Sequence, residues 1–154
     1  MQLRYDEDFI EAAAFLCTSG RRKGVPSLQI ARFHREREKL YAILDPDERN
    51  TAFFKLHLDW FREWGLEKLL TDLLKVFPLL TEKLSVLVVR KTRGKKDDEG
   101  AELYVNETGQ RSAILALRPE SFERDAAHRH YVRHEFTHLN DMLDPAFGYA
   151  PTLD

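Results

Sequence analysis

The sequence predicts an α+β fold: an N-terminal helical layer, a three-stranded antiparallel or mixed sheet, and a final helix that follows the sheet. Three observations carry this expectation. Apolar residues recur at helical spacing from Phe9 to Phe77, the period changes to two after Leu84, and helical spacing returns after Pro119. The chain has 154 residues, 43% hydrophobic and 32% charged, which places it in the globular range. It reads as a single domain over 1–154, with a helical part at 1–80 and the sheet and last helix at 81–154.

The elements follow in order. Phe9, Ala12, Ala13 and Leu16 mark a first helix that Gly20 stops, and Arg21, Arg22 and Lys23 then form a basic loop. A second helix is expected after Ser27 as cap, with Leu28, Phe33, Leu40 and Leu44 on an apolar stripe of about five turns. A third runs from about Glu48 through Phe53, Trp60, Phe61 and Trp64 to Gly65, and a fourth from Leu66 to Phe77 ends at Pro78. Ser85 to Arg90, a short run around Leu103-Tyr104-Val105, and Ser112 to Leu117 read as three strands. With Thr92 to Gly100 as a mobile tip and Asn106 to Gly109 as a turn, the simplest arrangement is a meander. The last helix is expected to begin with Ser121 as cap and to end near Leu143, ahead of Asp144-Pro145.

Composition excludes several classes. Twenty-four Lys and Arg against 26 Asp and Glu leave a net charge of −2, so no global field draws the protein to nucleic acid or to an acidic membrane. Cys17 is the single cysteine and cannot form an internal disulfide. Asp6, Glu7, Asp8 and Glu11 interrupt any signal-peptide core, and no stretch reaches the length of a membrane span. A cytoplasmic location is expected.

Chemistry concentrates on the last helix in His134-Glu135-Phe136-Thr137-His138, the pattern H-E-x-x-H. Histidines four residues apart lie about 40° apart around a helix and ~6 Å apart along it, so both imidazoles can converge on one ion. Zn2+ is the occupant this donor set suits. Glu135, on the flank of the same face, is placed to take a proton from a metal-bound water as that water attacks a carbonyl.

These five residues resemble the motif of the zincin metallopeptidases, in which a short sheet precedes an active-site helix. The likeness extends over about residues 85–144. It implies that His134 and His138 are zinc ligands, that Glu135 is the catalytic base of a hydrolase, and that a peptide substrate lies along the last strand before the helix, here Ser112 to Leu117. In the metzincin branch the motif continues through a glycine to a third ligand. Those positions fall on Asp141 and Asp144, so the first departs from the pattern. In a straight helix Asp144 lies about 12 Å along the axis from the midpoint of the histidines, so it ligates only if the helix breaks near Asn140. Asp141 lies about 7.5 Å from that midpoint and is expected to orient a histidine. Asp154, or a residue outside this chain, is the remaining source, since too few residues follow His138 for a second ligand helix.

Other residues have plainer readings. His128 and His130 are expected to form a solvated pair, His34 and His57 to be core or boundary histidines, Trp60 and Trp64 to anchor the core, and Phe147 and Tyr149 to pack. Cys17 is expected to be buried and unreactive. Two rival functions stand beside the metallopeptidase. One is an inactive zincin-like binding module with incomplete ligation. The other is a DNA-binding adaptor that uses the Arg21–Lys23 loop and the Arg90–Lys96 hairpin, although Asp97, Asp98 and Glu99 nearly neutralise the second patch.

Overall fold

The computed structural model describes residues 1–93, 99–147 and 152–153. The helices are α1 (Glu7–Thr18), α2 (Ser27–Lys39), α3 (Pro46–Glu63), α4 (Leu66–Leu74), α5 (Pro78–Lys83) and α6 (Asp125–Leu143). The strands are β1 (Gln2–Tyr5), β2 (Val86–Lys91), β3 (Gly100–Val105), β4 (Arg111–Leu117) and β5 (Thr152–Leu153). The α+β class holds, but the sheet is larger than three strands and is not a meander.

Its order is β1-β2-β4-β3-β5. β1 pairs with β2 and β2 with β4, both in parallel, whereas β3 runs antiparallel to β4. The hairpin at Asn106 to Gly109 is the local part of this plan. Asn106 Oδ1 accepts from the Thr108 and Gln110 backbone N–H groups, and Gly109 takes the left-handed angle (φ 83°) that glycine adopts without strain. β2 and β3 are not neighbours, because β4 lies between them. The tip between them, Gly94 to Asp98, lies outside the described residues.

Alternation puts one face of the sheet into the core. Leu3 and Tyr5, Leu87 and Val89, Leu103, and Ala113, Leu115 and Leu117 meet Phe9 of α1, Phe61 of α3, Leu70 of α4, Leu80 of α5, and Phe136 and Leu139 of α6. The opposite-facing Val86, Val88 and Ile114 are half-buried. α1 and α6 lie over different strands, α1 against β2 and α6 against β3.

Local signals placed some helix ends: Gly20, Gly65 and Asp144-Pro145 lie within two residues of the ends of α1, α3 and α6, whereas Ser27 opens α2 instead of capping it. Asp45 accepts from Glu48 N–H at 2.9 Å and caps α3, and Gly65, with φ 79°, separates α3 from α4. Three expectations need correction. The fourth helix ends at Leu74, before Phe77, and Pro78 instead opens α5, where its missing N–H costs nothing in the first turn. Ser121 lies in a 3-10 turn at Pro119–Phe122, and α6 starts at Asp125 with Arg124 as its cap. The second helix is also shorter than five turns, for Leu40–Ala42 is a 3-10 turn. Its stripe is not a core stripe: Leu28 and Leu44 are solvent-exposed, Leu44 at 91%, and only Phe33 is buried, with Trp60 and Ala14 in a second cluster. No helix among the described residues is long and apolar enough to cross a membrane.

Candidate metal centre

α6 is held at its start by contacts that reach back to the first loop. The Arg22 guanidinium donates to the Phe122 carbonyl at 2.8 Å and to Asp125 Oδ1 at 2.9 Å, and Arg21 pairs with Glu123. The loop that reads as a phosphate grip in the sequence is thus engaged with acids on the approach to α6. Asp125 in the first turn also suits the positive end of the helix dipole. Val132, Phe136, Leu139 and Leu143 then bury the inward stripe, which fixes the rotation of α6 about its axis.

That rotation leaves His134 and His138 exposed on the outer face. Their Nε2 atoms lie 3.0 Å apart, with the rings edge to face at 89° and centroids 4.4 Å apart. Two ligands of one tetrahedral zinc would stand about 3.3 Å apart, so the rings are placed within a small adjustment of a shared ion. Without an ion the same geometry is a hydrogen bond from one imidazole N–H to the other's lone pair.

Glu135 lies on the more buried flank of α6, adjoining the exposed face that carries the two histidines. It is only 7% exposed, and among the described residues no hydrogen bond or ion pair holds its carboxylate. Its electrostatic neighbour is Glu99, just before β3. Burial first, and the Glu135 charge second, push the Glu99 carboxyl above its ordinary value, while a hydrogen bond from the Arg118 backbone opposes the shift. Glu99 Oε2 is shielded from solvent without a hydrogen-bond partner. Sequence reasoning missed this carboxylate, because only the packing of α6 on β3 brings it to Glu135.

The expected third ligand is placed elsewhere. α6 continues unbroken through Leu143, so the break near Asn140 that Asp144 required is absent. Asp144 Oδ1 accepts from the Ala146 backbone N–H at 2.9 Å, capping the turn after the helix. Neither histidine hydrogen-bonds Asp141. Among the described residues no group of three His, Cys, Asp or Glu side chains is arranged to hold a metal ion. Asp154 and Tyr149 lie outside the described residues, as does the side chain of Phe147.

The other histidines separate by burial. His130 is exposed, but His128 is sealed at 0% and is not part of a solvated pair. Its ring lies 4.6 Å from that of Phe122, and neither nitrogen meets a well-aligned hydrogen-bond partner. Desolvation pulls its pKa down to about 4, and the Leu69 backbone and Asp125 offset only part of this. His57 is buried against Phe33 and Phe53, with its pKa lowered by burial and then by Arg37, whereas His34 is exposed beside Phe33. Cys17 is fully buried, and burial pushes its thiol up to about 11, the inert form expected. Trp60 donates to Glu36 Oε2 at 2.9 Å and packs with Trp64.

The strand expected to receive a peptide is also corrected. β4 is paired on both sides, with β2 and with β3, and has no free edge. β3 is the strand with open backbone: β5 pairs only with Tyr104 and Val105, which leaves the outer side of Gly100 to Leu103 without a strand among the described residues. No protein family, curated protein or solved structure matches this chain.

Proposed function

We propose that this protein is a zinc-dependent metallopeptidase of zincin type, with His134 and His138 as zinc ligands and Glu135 as general base. The observation that carries the reading is the convergence of two imidazole nitrogens to 3.0 Å, with the low-exposure carboxylate of Glu135, for which there is no ion pair among the described residues, on the adjoining flank of the same helix. A zinc ion there would lower the pKa of a bound water and polarise a substrate carbonyl. Glu135 takes the proton of the attacking water and returns it to the leaving amine. Its low solvent exposure keeps bulk water from competing for that proton. An extended substrate lies along the outer side of β3 at Gly100 to Leu103, held by main-chain hydrogen bonds, next to the helix that bears the motif. The site lies in a chain with a cytoplasmic address.

The test is metal content and hydrolysis measured on the same preparations. One zinc per chain, lost in His134→Ala and His138→Ala, with Glu135→Gln retaining zinc but losing hydrolysis of a casein substrate, is the expected result. Zinc-loaded wild-type protein that cleaves nothing would overturn the enzymatic part.

A second reading has its own observation. No third donor joins the histidine pair among the described residues, which favours a non-catalytic binding module with incomplete ligation. Weak zinc binding with no hydrolysis in any variant is the outcome that reading requires.

A further inference from the structure

α2 is joined to the rest of the molecule through few side chains. Phe33 is its one buried residue, and it packs with Trp60 and Ala14 in a cluster separate from the main core. Glu36, paired with Arg32, accepts from Trp60 Nε1 at 2.9 Å, and the Arg32 guanidinium lies 5.6 Å from the Trp60 ring. Leu28 near its start and Leu44 beyond its end are left in water. The chain is anchored on either side of this helix. Arg22 is tied to Phe122 and Asp125, Val25 packs on the main core, and the Ile43 carbonyl accepts from Arg49. Between these anchors α2 can part from α3 without opening the main core.

A further link to α2 is His57 of α3. It is 6% exposed, and its Nε2 accepts from Arg37 Nε at 3.4 Å. A guanidinium keeps its protons at any ordinary pH, so this contact requires the lone pair of an uncharged imidazole. Arg37 is itself held in place. Its guanidinium lies 5.0 Å from the Phe53 ring and 5.7 Å from that of Tyr41, and Nη1 donates to the Tyr41 hydroxyl at 2.9 Å. His57 and Arg37 also border a cavity of about 190 Å³, together with Glu7 and Glu11 of α1 and with Asn50, Phe53 and Phe54 of α3. The other titratable groups around Phe33 are Glu36, already paired, and His34, which is exposed. Burial first, and the Arg37 charge second, hold the His57 pKa below its ordinary value, while Glu11 opposes the shift.

We propose that α2 is an arm released by acid. Uncharged His57 keeps it docked. A proton taken from solvent onto Nε2 removes the acceptor, sets an imidazolium against the Arg37 guanidinium, and draws the ring toward Glu11. The arm then leaves, and Phe33 and Trp60 become exposed apolar surface. The docked state disfavours the proton and the released state accepts it, so release gains as pH falls below the ordinary histidine value. The proposal does not rest on the metal reading of α6.

Both tryptophans of the chain pack on Phe33, so their fluorescence reports the docking of α2. The experiment follows this emission on the full chain from about pH 7 to about pH 5, with deuterium uptake corrected for the intrinsic rate. Emission should move to longer wavelength. Uptake of one proton should cost α2 about tenfold in protection per pH unit at the steepest, and more than β4, whose exchange reports global stability. His57→Gln, whose amide oxygen can accept from Arg37, should remove this excess loss. Glu11→Gln, at an exposed position, should move the transition to lower pH. Constant α2 protection in wild type, equal losses in α2 and β4, or the same transition in His57→Gln would each overturn the proposal, as would an unshifted transition in Glu11→Gln.

Discussion

The ring of His128 packs 4.6 Å from that of Phe122 in a position with no solvent exposure, so the imidazole is held neutral by its surroundings. Its pKa is pulled from an ordinary 6.5 down to about 4, chiefly by desolvation. The unfolded chain therefore binds a proton that the folded chain refuses between these values, and stability falls as pH drops from 6.5 toward 4. The loss amounts to about 3 kcal/mol at the acid end. Urea denaturation at several pH values should show this slope in wild type and a flatter one in His128→Leu. An unchanged slope in that variant would assign the acid sensitivity to other groups.

Glu99 and Glu135 predict the opposite sign. Burial and the neighbouring carboxylate raise the Glu99 pKa, so its ionisation disfavours the folded state once pH rises above its unfolded value. Glu99→Gln should leave stability unchanged near pH 4 and raise the melting temperature at pH 7. A lower melting temperature at pH 7 would mean that Glu99 has a stabilising partner.

Phe9 is wholly buried where β1, α3 and the turn before α6 meet, with ring centroids 6.1 Å from Phe61 and 5.6 Å from Phe122. Phe9→Ala removes this three-way contact and leaves a cavity. A cost of about 3–5 kcal/mol is expected in the free energy of unfolding from chemical denaturation. A cost under about 1 kcal/mol would show that the neighbouring elements close the gap.

Arg22 joins the first loop to the start of α6 through two hydrogen bonds, one of them to the Phe122 carbonyl. Arg22→Ala should destabilise by about 1–3 kcal/mol, because it strands a part-buried carbonyl as well as breaking an ion pair. Asp125→Asn should cost less, about 0.5 kcal/mol, since Asp125 is exposed and the carbonyl bond survives. Thermal denaturation of the two variants separates the contributions, and equal losses would contradict the assignment.

Much of this molecule is legible one segment at a time. Helical spacing located α1, α3, α4 and α6, Asp45 and Gly65 marked boundaries, and Asn106 to Gly109 marked the hairpin turn, because each depends on residues within a few positions of one another. The convergence of His134 and His138 is local in the same way: helix geometry alone places the two rings on one face. β1 also carried a readable signal, since Gln2-Leu3-Arg4-Tyr5 alternates polar and apolar residues, but four residues form a strand only when β2 lies beside them.

The sequence by itself determined most of the helices, the three central strands, the burial of Cys17 and the facing pair of imidazoles. Only the tertiary structure decided the strand order, with β4 inserted between β2 and β3, and therefore which backbone edge stays open. It also decided that His128 is sealed and His130 is not, that Leu44 is exposed, that Glu99 meets Glu135, and that Asp144 caps a turn away from the histidines. The physical reason is range. Dihedral preferences, caps and helical periodicity act between near neighbours, whereas burial and strand pairing are set by residues far apart in the chain, whose meeting no local pattern encodes.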